Sequence, residues 1–174
     1  YQLNSPNGNI SLKISVKEQV EWSLSFKQKP LVKNCTFNIK FNDESEFNQK
    51  LKVAKNTETK KTEIIVSEIP TKFKKLKVVY NKLVLDFKNK FSIEYRLYNN
   101  GFAYRIIGKH KKELIINDEN ISIEFPENCR ILFPEEESLM SHYERLYIDE
   151  KLAKLKTGSF ASLPLLAQTT DGYN

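Results

Sequence analysis

The feature that most constrains this chain is an alternation of apolar and polar residues that restarts about ten times between Ile10 and Phe133. Period two is the repeat of a strand with one buried face, because successive side chains point to opposite sides of a sheet. Ile10, Leu12, Ile14 and Val16 point one way, while Ser11, Lys13 and Ser15 point the other. Val20, Trp22, Leu24 and Phe26 resume the pattern after Lys17-Glu18-Gln19, so these two runs read as a hairpin. Further runs start at Phe37, Ile64, Leu76, Leu83, Phe91, Phe102, Ile121 and Ile131.

Turn residues separate the runs: Pro6-Asn7-Gly8, Asn42-Asp43, Asn81-Lys82, Lys88-Asn89-Lys90, Asn99-Asn100-Gly101 and Asn117-Asp118-Glu119-Asn120. Asn100-Gly101 is the sharpest signal, since both residues tolerate the positive φ of a type I′ turn. Many short strands with close-spaced turns predict an all-β fold, an antiparallel β-sandwich. Helix is nearly absent. Pro134-Glu135-Glu136-Glu137 has the composition of a helix start and predicts one short turn. Glu44 to Ala54 reads as a short helix or an irregular strand, and Lys55 to Lys61 as an exposed, mobile loop.

At 174 residues the chain suits one domain, 1–174, and is too short to add a (β/α)₈ barrel, which alone takes about 250 residues. With 40% apolar and 29% charged residues it can bury a core. No apolar run reaches the roughly 20 residues of a membrane-spanning helix. The net charge of +6 is spread along the chain, in short clusters such as Lys72, Lys74, Lys75 and Lys77, without any nucleic-acid-binding motif; no nucleic-acid partner is expected. The opening Tyr1-Gln2-Leu3 lacks an initiator Met and a leader's apolar core, which fits either a removed signal peptide or an internal start.

Chemistry is sparsely signalled. Cys35 and Cys129 have no Cys or His at ligand spacing, so no zinc framework is present, and a disulfide and two buried thiols both stay open. No G-x-S-x-G elbow or phosphate-cradling glycine loop occurs. His110 sits between Lys109 and Lys111 in a charged surface turn. Glu135-Glu136-Glu137 reads as a solvated run, not an acid/base pair. The segment Ser141-His142-Tyr143-Glu144-Arg145-Leu146-Tyr147 mixes polar and aromatic groups as interfaces and sugar sites do. Arg96 and Arg105 flank the Asn100-Gly101 turn at a cross-strand separation, so they are expected to share a face, with Glu94 and Glu144 as the carboxylates that answer them.

Over nearly its whole length the chain resembles the N-terminal domain of family 97 glycoside hydrolases. The resemblance is carried by Leu3-Asn4-Ser5-Pro6-Asn7-Gly8, by Trp22 to Phe26 leading into Lys29-Pro30-Leu31-Val32, and most specifically by Ile93-Glu94-Tyr95-Arg96-Leu97-Tyr98-Asn99-Asn100-Gly101-Phe102-Ala103-Tyr104-Arg105-Ile106. Ile123 to Pro126, Tyr143 to Tyr147, Leu163 to Leu166 and a closing hairpin at Asp171-Gly172-Tyr173 extend it. Asn99-Asn100 in place of an acidic turn, and Asn34 to Phe37, depart from the family pattern.

The resemblance implies a galactose-mutarotase-like supersandwich placed before a catalytic (β/α)₈ barrel that this chain lacks. It further implies hydrolysis of α-glucosidic or α-galactosidic bonds by the full-length enzyme, a calcium ion there, and secretion or a periplasmic location. The calcium-ligating Glu that a sandwich contributes is expected beyond Asn174, so no catalytic, cofactor or metal residue is assigned to this chain, and the fragment alone is expected to be inactive. Its expected partners are the barrel and carbohydrate, with Arg105, His142, Tyr143 and Glu144 as the candidate interdomain or sugar-cleft surface. Two other classes compete: a free-standing carbohydrate-binding or adhesion sandwich, and a mutarotase-like epimerase needing a His acid and a Glu base, for which His142 is the one suitably placed histidine.

Overall fold

The alternating runs become hydrogen-bonded antiparallel ladders. The computed structural model describes residues 1–69, 72–111 and 113–170, and the chain divides into two compact units, Tyr1–Ile123 and Glu124–Asn174. Among the described residues the regular structure is strand throughout, apart from a 3-10 turn at Leu152–Lys154.

In the first unit, strands β1 (Gln2–Asn4), β2 (Ile10–Val16), β3 (Val20–Phe26) and β4 (Lys29–Phe41) lie side by side, and β9 (Ile116–Glu124) flanks β4. A second sheet takes β5 (Val53–Val66), β6 (Lys75–Phe87), β7 (Phe91–Tyr98) and β8 (Gly101–Gly108) in sequence order. The two sheets form the expected antiparallel sandwich around one core. Leu12, Ile14, Trp22, Phe37 and Ile39 come from one side, and Leu83, Leu85, Ile93, Tyr95 and Leu97 from the other. Aromatic rings knit the layers: Trp22 lies 5.1 Å from Phe102, and Phe37 stacks 5.4 Å from Tyr104. Such offset contacts stabilise beyond the area they bury. Phe47, from the segment before β5, fills the end of this core against Phe37, Phe87 and Phe91.

The β2–β3 hairpin has the register that the alternation implies, with Val16 opposite Val20 across the three-residue turn. The next turn was silent in the composition. Lys27 and Gln28 adopt φ of 46° and 69° between the paired Phe26 and Lys29, a two-residue turn built without Gly or Asn.

The second unit is built on β10 (Arg130–Glu136), which pairs with β11 (Tyr147–Lys151), β12 (Phe160–Ala161) and β13 (Leu166–Gln168). Its buried apolar core, among the described residues, is Cys129, Ile131 and Phe133, with Phe125, Leu152, Leu155, Ala161 and Ala167 packed around it.

Six local expectations are corrected. Pro134-Glu135-Glu136 belongs to strand β10 and not to a helix start, because pairing with Tyr147 on one side and Phe160 and Ala161 on the other outweighs the local capping signal. Lys55 to Lys61 is not a loop but the middle of β5, paired residue for residue with β6; its polar composition suits a sheet edge exposed to water. Asn81-Lys82 is not a turn. The two apolar runs beside it are one strand, β6, with Leu83 and Leu85 facing the core and Tyr80 on the opposite face. In the β7–β8 hairpin the turn residues are Asn99-Asn100, and Gly101 pairs with Tyr98 inside the ladder. Asn117 to Asn120 is not a turn but part of strand β9, whose pairing beside β4 overrides the turn preference of its Asn and Asp. Ile121 and Ile123 are exposed on the same strand, not half-buried. Glu44 to Ala54, left open above, is a run of turns with one bridge, Lys40 to Glu46, before β5 begins at Val53. Asp171-Gly172-Tyr173 lies outside the described residues.

Leu12 and Leu85 are fully enclosed, so replacing either by Ala is expected to cost about 2–5 kcal/mol, the range for a buried leucine that leaves a cavity. Lys60→Ala, on the exposed edge strand, is expected to stay within about 0.5 kcal/mol. Urea midpoints of the three variants check this ordering.

Candidate functional site

Strand β7 places Ile93, Tyr95 and Leu97 in the core and therefore turns Glu94 and Arg96 to the other face of the sheet. Cross-strand register brings Lys82 opposite Arg96 from β6, and Arg105 opposite Glu94 from β8. The Glu94 carboxylate is 6% exposed. It accepts from Arg96 Nε at 2.7 Å and from Arg105 Nη2 at 3.2 Å, with Lys82 Nζ at 3.8 Å. Arg96 in turn lies over the Tyr80 ring, 4.9 Å from its centre, and Tyr80 packs on Tyr98 and donates its hydroxyl to Glu63 at 2.7 Å. A cleft of about 220 Å³ opens beside this cluster, lined by Glu94, Arg96, Tyr98, Ala103, Tyr104 and Arg105.

Burial alone pushes the Glu94 carboxyl up, but the hydrogen bonds and charges of Arg96 and Arg105 outweigh it and hold the group below the ordinary glutamate value. Arg96 is stabilised in its charged form by the same contact. The expected sharing of one face by Arg96 and Arg105 is thus seen, but in a register shifted by two residues from the one assumed: Arg105 stands opposite Glu94, and Arg96 opposite Ala103. Glu94 answers both.

Among the described residues the other buried carboxylate lies in the second unit. Glu136, read from the sequence as part of a solvated run, is 4% exposed. It accepts from Arg145 Nε at 3.2 Å and from Ser162 Oγ at 3.2 Å. A hydrogen bond from Ser141 is the largest influence holding its carboxyl below the ordinary value, joined by Arg145 and Ser162 against the opposing effect of burial. Ser141 and Arg145 bracket His142, Tyr143 and Glu144, so one buried acid anchors both ends of the loop that carries them.

Within the loop the Tyr143 amide donates to Ser141 Oγ at 3.0 Å, and Tyr143 takes a left-handed φ of 57°. His142, Tyr143 and Glu144 are all exposed. A cleft of about 380 Å³ beside the loop is lined by Glu136, Arg145, Leu146, Ile148 and Phe160, among others. The sequence reading missed Glu136. The signal was present in the pairing potential of Arg130 to Glu136, whose apolar residues already marked a strand.

His110, expected in a charged surface turn, is partly buried with its ring 4.7 Å from that of Phe91. Cys35 and Cys129 are buried thiols that form no disulfide. Burial pushes the Cys129 thiol up. Among the described residues no group of three or more His, Cys, Asp or Glu converges as a metal site would require, and no helix is long and apolar enough to cross a membrane.

Because the folded-state pKa of Glu94 lies below its unfolded value, its contribution to stability is complete above the ordinary glutamate range and is lost as pH falls through the folded value. Glu94→Gln is expected to cost about 1–3 kcal/mol at neutral pH, by leaving cations without their carboxylate. It should also flatten the stability profile below about pH 5. Chemical denaturation of both proteins from pH 7 to pH 3 tests this; parallel profiles would show that Glu94 does not contribute through its charge.

The sequence pattern of the glycosyl-hydrolase 97 N-terminal region matches residues 3–174. A retaining alpha-galactosidase of Bacteroides thetaiotaomicron is 24% identical over 99% of this chain, which spans 27% of that protein. A glycoside hydrolase family 97 enzyme from a Pseudoalteromonas species, solved in complex with panose, superposes with a TM-score of 0.84 at 17% identity, over 98% of this chain and 27% of that one. A beta-arabinopyranosidase gives a TM-score of 0.83 at 17% identity, covering 97% of this chain and 29% of its own. The chain thus spans little more than a quarter of the relatives it matches, and it belongs to the glycosyl-hydrolase 97 N-terminal family.

Proposed function

We propose that this chain is the non-catalytic N-terminal sandwich of a family 97 glycoside hydrolase, that it packs on the catalytic barrel of the same polypeptide, and that the loop around His142, Tyr143 and Glu144 frames the sugar cleft. One observation carries the reading. The 139–146 stretch presents Leu139, Met140 and Leu146 at 78%, 93% and 92% exposure, beside the exposed Tyr143. Four large apolar side chains so close together form the kind of patch that a further protein surface covers. Polar groups among them, His142 and Glu144, suit a rim that meets sugar hydroxyls.

Arg105, whose side chain is 62% exposed after pairing with Glu94, keeps donors for the same interdomain role. The substrate class we assign to the full-length enzyme is an α-glucoside or α-galactoside, supported by the alpha-galactosidase relative and by the panose complex of the structural neighbour. Carbohydrate is then a partner of the assembled enzyme. The calcium ion that the family likeness implies finds no converging ligand set among the described residues. Family likeness also leads us to place the protein outside the cytoplasm, secreted or periplasmic.

The isolated chain is expected to hydrolyse no activated aryl α-glucoside or α-galactoside, and turnover that persists through rigorous purification would overturn the reading. In the full-length enzyme, His142→Ala with Glu144→Ala should lower turnover about tenfold or more, since small misplacements at a cleft cost at least that much. The melting temperature should hardly move. A lower melting temperature with unchanged turnover would make the loop purely structural.

A further inference from the structure

The pairing of β6 with β7 ends at Tyr80 and Tyr98, but the pairing of β6 with β5 continues. Thr62–Val66 and Lys75–Val79 therefore form a two-stranded arm. Unlike an ordinary amphipathic ribbon, the arm is apolar on both faces. Ile65 and Leu76 are cross-strand partners on one face, while Ile64 and Val66 stand on the other opposite Lys77 and Lys75. Beyond the ribbon Ile69 and Phe73 are 80% and 66% exposed, and the four ribbon residues expose half or more of their surface. Isolated two-stranded ribbons are marginal in water, and edges left this apolar invite association.

We infer that this arm is a clasp: it seats in an apolar, carboxylate-rimmed cleft on the part of the family polypeptide that this chain does not include. The inference rests on the reading above that such a part exists and packs here. Apolar groups on both faces need an occupant that wraps the arm and does not merely lie flat on it. Lys72, Lys74, Lys75 and Lys77 surround the apolar groups and are all exposed; they outnumber the acids of the same stretch, Glu63, which accepts from the Tyr80 hydroxyl, and Glu68, so a negative rim on the cleft complements the arm.

A second copy of the chain meets this requirement poorly, because an isologous contact would bring two cationic arms together. A lipid surface also suits it poorly. Lys72 and Lys74 bracket Phe73, so sinking that ring into hydrocarbon would draw two ammonium groups toward it. A protein cleft accommodates both. The remainder of the polypeptide fits in extent as well, since this chain spans only 27% of the alpha-galactosidase it matches, and a tethered surface acts at high effective concentration.

Hydrogen exchange of the arm amides, in this chain and in the full-length polypeptide, tests the clasp. We expect exchange at least about tenfold slower in the longer protein. Phe73→Asp, and separately Ile69→Asp, should lower the melting temperature of the full-length protein while leaving that of the 174-residue chain unchanged, because both side chains are exposed in it. Equal arm exchange in the two proteins with silent variants overturns the clasp. If residues 139–146 are nevertheless protected in the longer protein, the packing of the domain on the barrel stands and the clasp alone fails; if neither segment is protected, both fail. Sedimentation of this chain with phosphatidylglycerol vesicles, or a concentration-dependent dimer abolished by Phe73→Asp, overturns the clasp in favour of lipid or of a second copy.

Discussion

Strand β7 is buried on both faces, and different physics holds each. Toward the core Ile93, Tyr95 and Leu97 remove apolar surface from water, the dominant favourable contribution to folding. On the reverse face a buried carboxylate, Glu94, is held by two guanidiniums and an ammonium. A buried charge without partners would be costly, so Glu94 fixes where Arg96, Arg105 and Lys82 must be, and hence the register of β6 and β8 against β7. A one-residue slip of β8 would carry Arg105 to the core face and Tyr104 away from Trp22 and Phe37. Apolar packing and the ion cluster specify the same register, which is how local and global preferences agree in a sequence that folds to one state.

The sequence made the sandwich legible because its strands are half-buried and their apolar residues fall at period two. It was less legible where that condition fails. Strand β6 changes its buried face between Tyr80 and Leu83, so it looked like two strands separated by a turn. Strand β5 buries almost nothing, so its polar centre looked like a loop although every residue from Lys55 to Val66 has a partner on β6. The Lys27-Gln28 turn gave no signal because a two-residue connection between well-paired strands can impose positive φ on residues that do not favour it.

The candidate site was legible in the same uneven way. The spacing around the hairpin showed that Arg96 and Arg105 share a face and named Glu94 and Glu144 as the acids to answer them, but it set the two arginines opposite each other, where the ladder sets Glu94 opposite Arg105. Glu136 did not, because its burial depends on Ser162 and Arg145, partners from distant points in the sequence that only the fold brings close. A run of three glutamates carries no information about which of them turns inward. The exposure of Leu139, Met140 and Leu146 was likewise invisible, since an apolar residue in sequence is ordinarily assigned to a core.

The buried glutamate of each unit also bears on what its own surroundings can do. A carboxyl that donates a proton to a leaving sugar works when its environment raises its pKa, usually a desolvated pocket without nearby cations. Glu94 and Glu136 are displaced in the opposite direction, because each is gripped by arginine. The same contacts favour the ionised, hydrogen-bond-accepting form of both carboxyls. Their chemistry is that of fixed anchors: Glu94 sets the face that presents Arg105, and Glu136 sets the loop that presents His142, Tyr143 and Glu144. In each unit the groups that face solvent are the ones that its buried acid holds in place, so each acid acts by fixing geometry and not by giving up a proton.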